Sequence, residues 1–115
     1  MTDISFRKLQ VYQVAKQALE LALANRSHWR GVPGELGPQM ERALVSVTLN
    51  IAEGAGRWSA ADQRRHYQIA CGSATEAAAC VEIAMMYGAP AALCEQLDSL
   101  LGRVVQMLGA MIRRR

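Results

Sequence analysis

Residues 46–68 read SVTLNIAEGAGRWSAADQRRHYQ. An apolar helical run carrying Asn50 and Glu53 meets two glycines, Gly54 and Gly56, and a second helix opens at Ser59. The Ser59 hydroxyl is placed to cap free amides, and Asp62, three residues on, sets a carboxylate at the positive end of the helix dipole. A helix, a stop and a capped helix in one short window predict an antiparallel helical hairpin, with Gly54 as the C-terminal cap of its first arm.

The same periodicity extends outward in both directions. Upstream, Leu9, Tyr12, Ala15, Leu19, Ala22 and Leu23 recur at helical spacing and predict a helix over about 5–25. The stretch HWRGVPGELGP, from His28 to Pro38, holds three glycines and two prolines and reads as a loop with one short turn. The helix that follows occupies about 36–53, with Pro38 tolerated in its first turn. The next spans about 59–87, and Gly88 and Pro90 break it. A fourth, about 91–112, carries Leu93, Leu97, Leu101, Val104 and Leu108 and leads into Arg113, Arg114 and Arg115. No stretch has the alternation of a strand. Four helices on short links predict an all-α, antiparallel up-down-up-down four-helix bundle, one domain over residues 1–115. In the third helix Tyr67, Ala70, Ala74, Ala77, Val81 and Ala84 form a stripe of mostly small side chains that lets a neighbouring helix come close. The apolar arc of the fourth is broad enough to bury surface against another subunit as well.

Composition agrees with a packed chain. Apolar residues make up 51% of the sequence and mean hydropathy is +0.03, whereas disordered chains carry fewer apolar groups and more charge. The opening residues contain no apolar leader, and the longest apolar run, Ile83 to Cys94, is too short for a bilayer and includes Pro90, so a soluble, cytoplasmic protein without a membrane partner is expected. Cys71, Cys80 and Cys94 are odd in number and lack C-x-x-C spacing, which points to buried thiols rather than a disulfide framework or zinc site. The net charge of +3 is carried largely by arginine and suits either solubility or an anionic partner.

At about 100° per residue, Gln39, Arg42, Ser46, Asn50 and Glu53 fall within one strip of the second helix, less than a quarter-turn wide. Leu36, Met40, Ala43, Val47 and Ile51 lie on one flank, and Val45, Leu49 and Ala52 on the other. Apolar borders on both sides predict a helix covered twice, by its own bundle and by a neighbour, with the polar strip at the seam. Buried polar groups need partners. On the third helix Ser73 and Glu76 are placed to meet Arg42 or Asn50, and Glu53 is placed to accept amides from about Ser59 to Ala61. Reactive constellations are sparse. His28 and His66 do not follow a glutamate by three, so the Glu-x-x-His pairs of a helical di-metal site are missing, and there is no G-x-x-x-x-G-K-[ST] phosphate loop. No catalytic, metal or cofactor-binding residue is assigned, and no enzyme activity or cofactor is expected. Arg57, Arg64, Arg65 and His66 gather around Trp58, a combination that contacts phosphates and stacks on bases; Arg113, Arg114 and Arg115 extend the basic set.

Gln39, Arg42-Ala43, Ser46-Val47, Asn50-Ile51-Ala52-Glu53-Gly54 and Gly56-Arg57, followed by Ala70, Gly72-Ser73 and Glu76, resemble the four-helix bundle proteins related to those encoded by intervening sequences in 23S ribosomal RNA genes, the S23 family. NIAEG followed at this distance by A-x-G-S-x-x-E is a more specific signature than periodicity alone, and Phe6, Leu9 and Ala15 match the family's opening helix. The resemblance implies a homo-oligomeric ring, typically a pentamer, so that the main partner is a second copy of the chain. It also implies a tie to nucleic acid, since a relative, the accessory variability determinant of diversity-generating retroelements, is a basic ring that binds nucleic acid and a reverse transcriptase. Two functions are therefore expected: a non-enzymatic interaction or scaffold module, and a nucleic-acid-binding accessory protein that engages RNA, DNA or an enzyme acting on them.

Overall fold

The computed structural model describes residues 4–29 and 31–114. Four α-helices, α1 (Gln10–Ala24), α2 (Leu36–Ala55), α3 (Ala60–Met86) and α4 (Ala91–Arg113), follow one another with no strand among the described residues. Each helix packs on its neighbours in chain order, and α4 returns to α1, which closes the up-down-up-down bundle. The core is made by Val11, Val14, Ala18, Leu44, Val47, Ile51, Tyr67, Leu97, Leu101 and Leu108, among others.

The small-residue stripe lies at the centre of this arrangement. Ala70, Ala74 and Ala77 are fully buried, and α3 makes its main contacts with α2 and α4. With methyl groups at the contact, the α2 and α3 backbones approach closely enough for polar side chains to bridge them. By length and composition α3 would also pass as a membrane-crossing helix, with a window of mean hydropathy 1.3, but in this fold its alanine stripe is covered by protein.

The first expected helix is divided. Ser5–Lys8 form a 3₁₀ turn, Leu9 is extended, and α1 starts at Gln10. The side chain of Gln13 donates to the Arg7 carbonyl at 2.7 Å, which satisfies the turn from within α1. Phe6 meets Tyr12 edge-on at 4.8 Å. Ser59 caps α3 as its position requires, its hydroxyl accepting from the Asp62 amide at 3.1 Å.

Gly54 differs from its expected role. α2 runs through it and ends at Ala55, with Gly56 as the cap. Gly54 is buried in the α2–α3 crossing, where an added Cβ would stand 2.6 Å from Tyr67 Cε1 and 3.1 Å from His66 Cβ. Its missing side chain makes room for a tyrosine rather than ending a helix. In α4 the broad apolar arc is used within the fold, since Leu93, Leu100, Val105, Met111 and Ile112 all pack on the core. The exposed large apolar residues lie elsewhere, several of them on α2 and α3.

The α1–α2 connection is held by two contacts. Trp29 is buried and its indole N–H donates to the Ala22 carbonyl at 3.1 Å. Arg26 forks onto Glu41 of α2 at 2.7 and 3.0 Å, and this hydrogen bond and opposite charge raise the Arg26 guanidinium above its ordinary value.

Candidate functional site

The predicted polar strip of α2 faces the α3 stripe that carries His66, Ile69, Ser73 and Glu76, and together they form a ladder. Gln39 donates to Glu76 at 3.2 Å at its outer end. The hydroxyls of Ser46 and Ser73 lie 2.8 Å apart. Asn50 donates through its amide nitrogen to the Ser46 carbonyl at 2.9 Å, which turns its oxygen toward His66 Nδ1 at 3.0 Å. With the Asn50 nitrogen committed to Ser46, the imidazole Nδ1 carries the proton and donates it. Glu53 Oε2 lies 3.6 Å from the same ring nitrogen and 3.9 Å from the Arg57 guanidinium. A polar chain thus runs from Ser73 through Ser46, Asn50, His66 and Glu53 to Arg57.

Among the described residues no buried side-chain polar atom lacks a partner. The partners differ in detail from those expected. Asn50 meets His66, not Ser73 or Glu76, and Glu53 meets His66 and Arg57, not the first amides of α3. Arg42 is exposed at the edge of the ladder. Sequence order sets His66 beside Arg64 and Arg65, but in the fold it is a buried rung of the ladder rather than part of the exposed basic set. The signal for this was present, since His66, Ser73 and Glu76 recur at the spacing of one helical face.

The basic set gathers around the α2–α3 turn. Trp58 is fully exposed, Arg57 and Arg65 are exposed, and Arg64 is half-buried. Arg113 and Arg114 are exposed at the end of α4, and Arg115 lies outside the described residues.

Neither a thiol site nor a metal site is supported by the geometry. Burial pushes the Cys71, Cys80 and Cys94 thiols above their ordinary value, with the charge of Glu76 adding at Cys80 and that of Glu95 at Cys94, the opposite of what a nucleophilic thiolate needs. Among the described residues no three His, Cys, Asp or Glu side chains are placed to hold one metal ion.

The chain matches the family described as 23S rRNA-intervening sequence protein over residues 7–110, a span that contains the whole ladder. The chain belongs to that family. A solved structure of a protein of unknown function from the S23 ribosomal protein family of Bacteroides thetaiotaomicron superposes with a TM-score of 0.82 at 17% identity, covering 89% of this chain and 97% of that one. At that identity the likeness concerns the fold. No curated protein matches the chain. In this chain Gly54 admits Tyr67, while Ser46, Asn50 and Glu53 reach Ser73, His66 and Arg57.

Proposed function

We propose that this chain is a non-enzymatic interaction module whose working form is a homo-oligomeric ring, a pentamer by family resemblance, with the outer face of α2 and α3 as the contact. The observation that carries this reading is the apolar border of the ladder: Val45 and Leu49 of α2 are 42% and 54% exposed, and Ile69 on the ladder stripe of α3 is 41% exposed. Large apolar side chains gathered on one face favour a partner surface. Gly72, in the same part of α3, has nothing within 4 Å of a built Cβ, which leaves backbone open to a close neighbour. Light scattering on the eluting protein should give a mass several times that of one chain. Leu49→Ala is expected to weaken the assembly by about tenfold per contact, the effect of removing two or so buried methylenes. A single-chain mass for the natural protein at high concentration would end this reading.

A second reading, a nucleic-acid-binding accessory protein, is favoured by Trp58. A tryptophan fully exposed at a helix turn, next to Arg57 and close in sequence to Arg64 and Arg65, supplies an aromatic face for a base and cations for phosphates. Repetition around a ring would raise the apparent affinity. Binding to single-stranded RNA should fall steeply as salt rises, and Trp58→Ala should weaken it by about tenfold per engaged base. Absence of binding at low salt rules this reading out.

A further inference from the structure

The charges of α3 and α4 are sorted by the end of the molecule at which they lie. On α4 Glu95 and Asp98 precede Arg103 and Arg113, an order that complements the helix dipole. On α3 Asp62 follows the dipole in the first turn, but Arg64 and Arg65 come next and Glu76 and Glu82 come late, against the dipole over the rest of the helix. Dipole complementarity therefore cannot account for both helices. Because α3 and α4 are antiparallel, Glu82, Glu95 and Asp98 gather towards the α3–α4 turn, while Arg64, Arg65 and Arg113 gather at the opposite end beside Asp62.

The acidic end contains a cavity of about 220 Å³ lined by Val81, Glu82, Met85, Cys94, Glu95 and Asp98. Val81 and Cys94 are buried and form an apolar floor, while the three carboxylate residues are exposed around it. Among the described residues none of these carboxylates has an ion-pair partner. An apolar floor beneath an acidic rim suits the side chain of arginine, whose methylene stem packs on apolar surface while the guanidinium forks onto carboxylates. The chain presents such side chains at Arg113 and Arg114, both exposed. They cannot enter their own cavity, because the fifteen or so helical residues between Asp98 and Arg113 span roughly 22 Å.

We propose that this cavity receives Arg113 and Arg114 of a second copy, an end-to-end contact separate from the α2–α3 face. Such a head-to-tail contact uses two different surfaces and so propagates along the bundle axis or closes into a larger ring. It adds to lateral assembly and does not depend on it.

Sedimentation velocity at high protein concentration tests the proposal at about 0.01 M and about 1 M ionic strength, where the Debye length falls from about 30 Å to about 3 Å. The natural protein is expected to form species larger than its high-salt form at low salt and to lose them at high salt. The variant E82K/E95K/D98K and the variant R113E/R114E should each lose these species, and an equimolar mixture of the two should regain them, since the reversed rim then faces reversed partners. All five positions are exposed, and the restored mixture shows that both variants are folded. Salt-independent sedimentation of the natural protein overturns the proposal, as does persistence of the large species in either variant. Binding of a tri-arginine peptide to the rim without any self-association would also overturn it, and would assign the cavity to a basic segment of another protein.

Discussion

Gly54→Val is expected to destabilise the protein by about 3 kcal/mol or more, lowering Tm by roughly 10 °C or more in a thermal melt followed by circular dichroism. The first added carbon would lie 2.6 Å from Tyr67 Cε1 and 2.9 Å from Cδ1, inside any real contact distance. Tyr67 is 1% exposed and stands in the core, so its ring has no free space to turn into. Relief must come from separating α2 and α3, and that opens the ladder beside them. Gly54→Ala gains about 1 kcal/mol of helix propensity against the same clash and should still destabilise, by about 1 to 2 kcal/mol. Gly102→Ala is the control. Gly102 is an exposed glycine inside α4 with nothing within 4 Å, and there the gain in propensity should stand alone, at about 0.5–1 kcal/mol of added stability. Similar melting of Gly54→Val and the natural protein would mean that α2 and α3 do not cross as closely as the structure shows.

The contrast between these two glycines also shows what the sequence could convey. Four helical stretches and the common face of Gln39, Ser46, Asn50 and Glu53 were legible because a helix writes its periodicity into consecutive residues. Ser59 was legible as a cap because its partner amide is three residues away. Gly54 reads as a stop because a glycine that ends a helix and one that admits a side chain from another helix look alike in one dimension. The difference lies in Tyr67, which comes from the next helix. His66 was masked by its arginine neighbours, and its assignment to the ladder depends on the rotation of α3 relative to α2, which no local pattern records. The break at Leu9 depends likewise on a contact from Gln13 to Arg7. The acidic cavity brings α3 and α4 residues together across a turn, and neither helix announces it alone.

Asn50→Ala is the second change expected to have a large effect, about 2 kcal/mol, or a fall in Tm of roughly 5–10 °C. Asn50 holds both sides of the ladder, donating to Ser46 at 2.9 Å and accepting from His66 at 3.0 Å. Truncation leaves the imidazole N–H of a buried histidine without its Asn50 acceptor, and Glu53 Oε2, at 3.6 Å, is too far for a good hydrogen bond. A double-mutant cycle with His66→Ala should return a coupling of about 1–2 kcal/mol, since two residues that share one hydrogen bond cannot lose it twice. Asn50→Ala/Glu53→Gln should be worse than the sum of its parts if the ring turns to Glu53 once Asn50 is gone. Protein concentration adds a further reading. Stability linked to self-association rises with concentration, so in a ring with the ladder at its seam Asn50→Ala should also flatten the concentration dependence of Tm. Melting of Asn50→Ala within about 1 °C of the natural protein, with no coupling to His66, would remove the ladder as the reason that this helix carries an amide and a carboxylate among apolar residues.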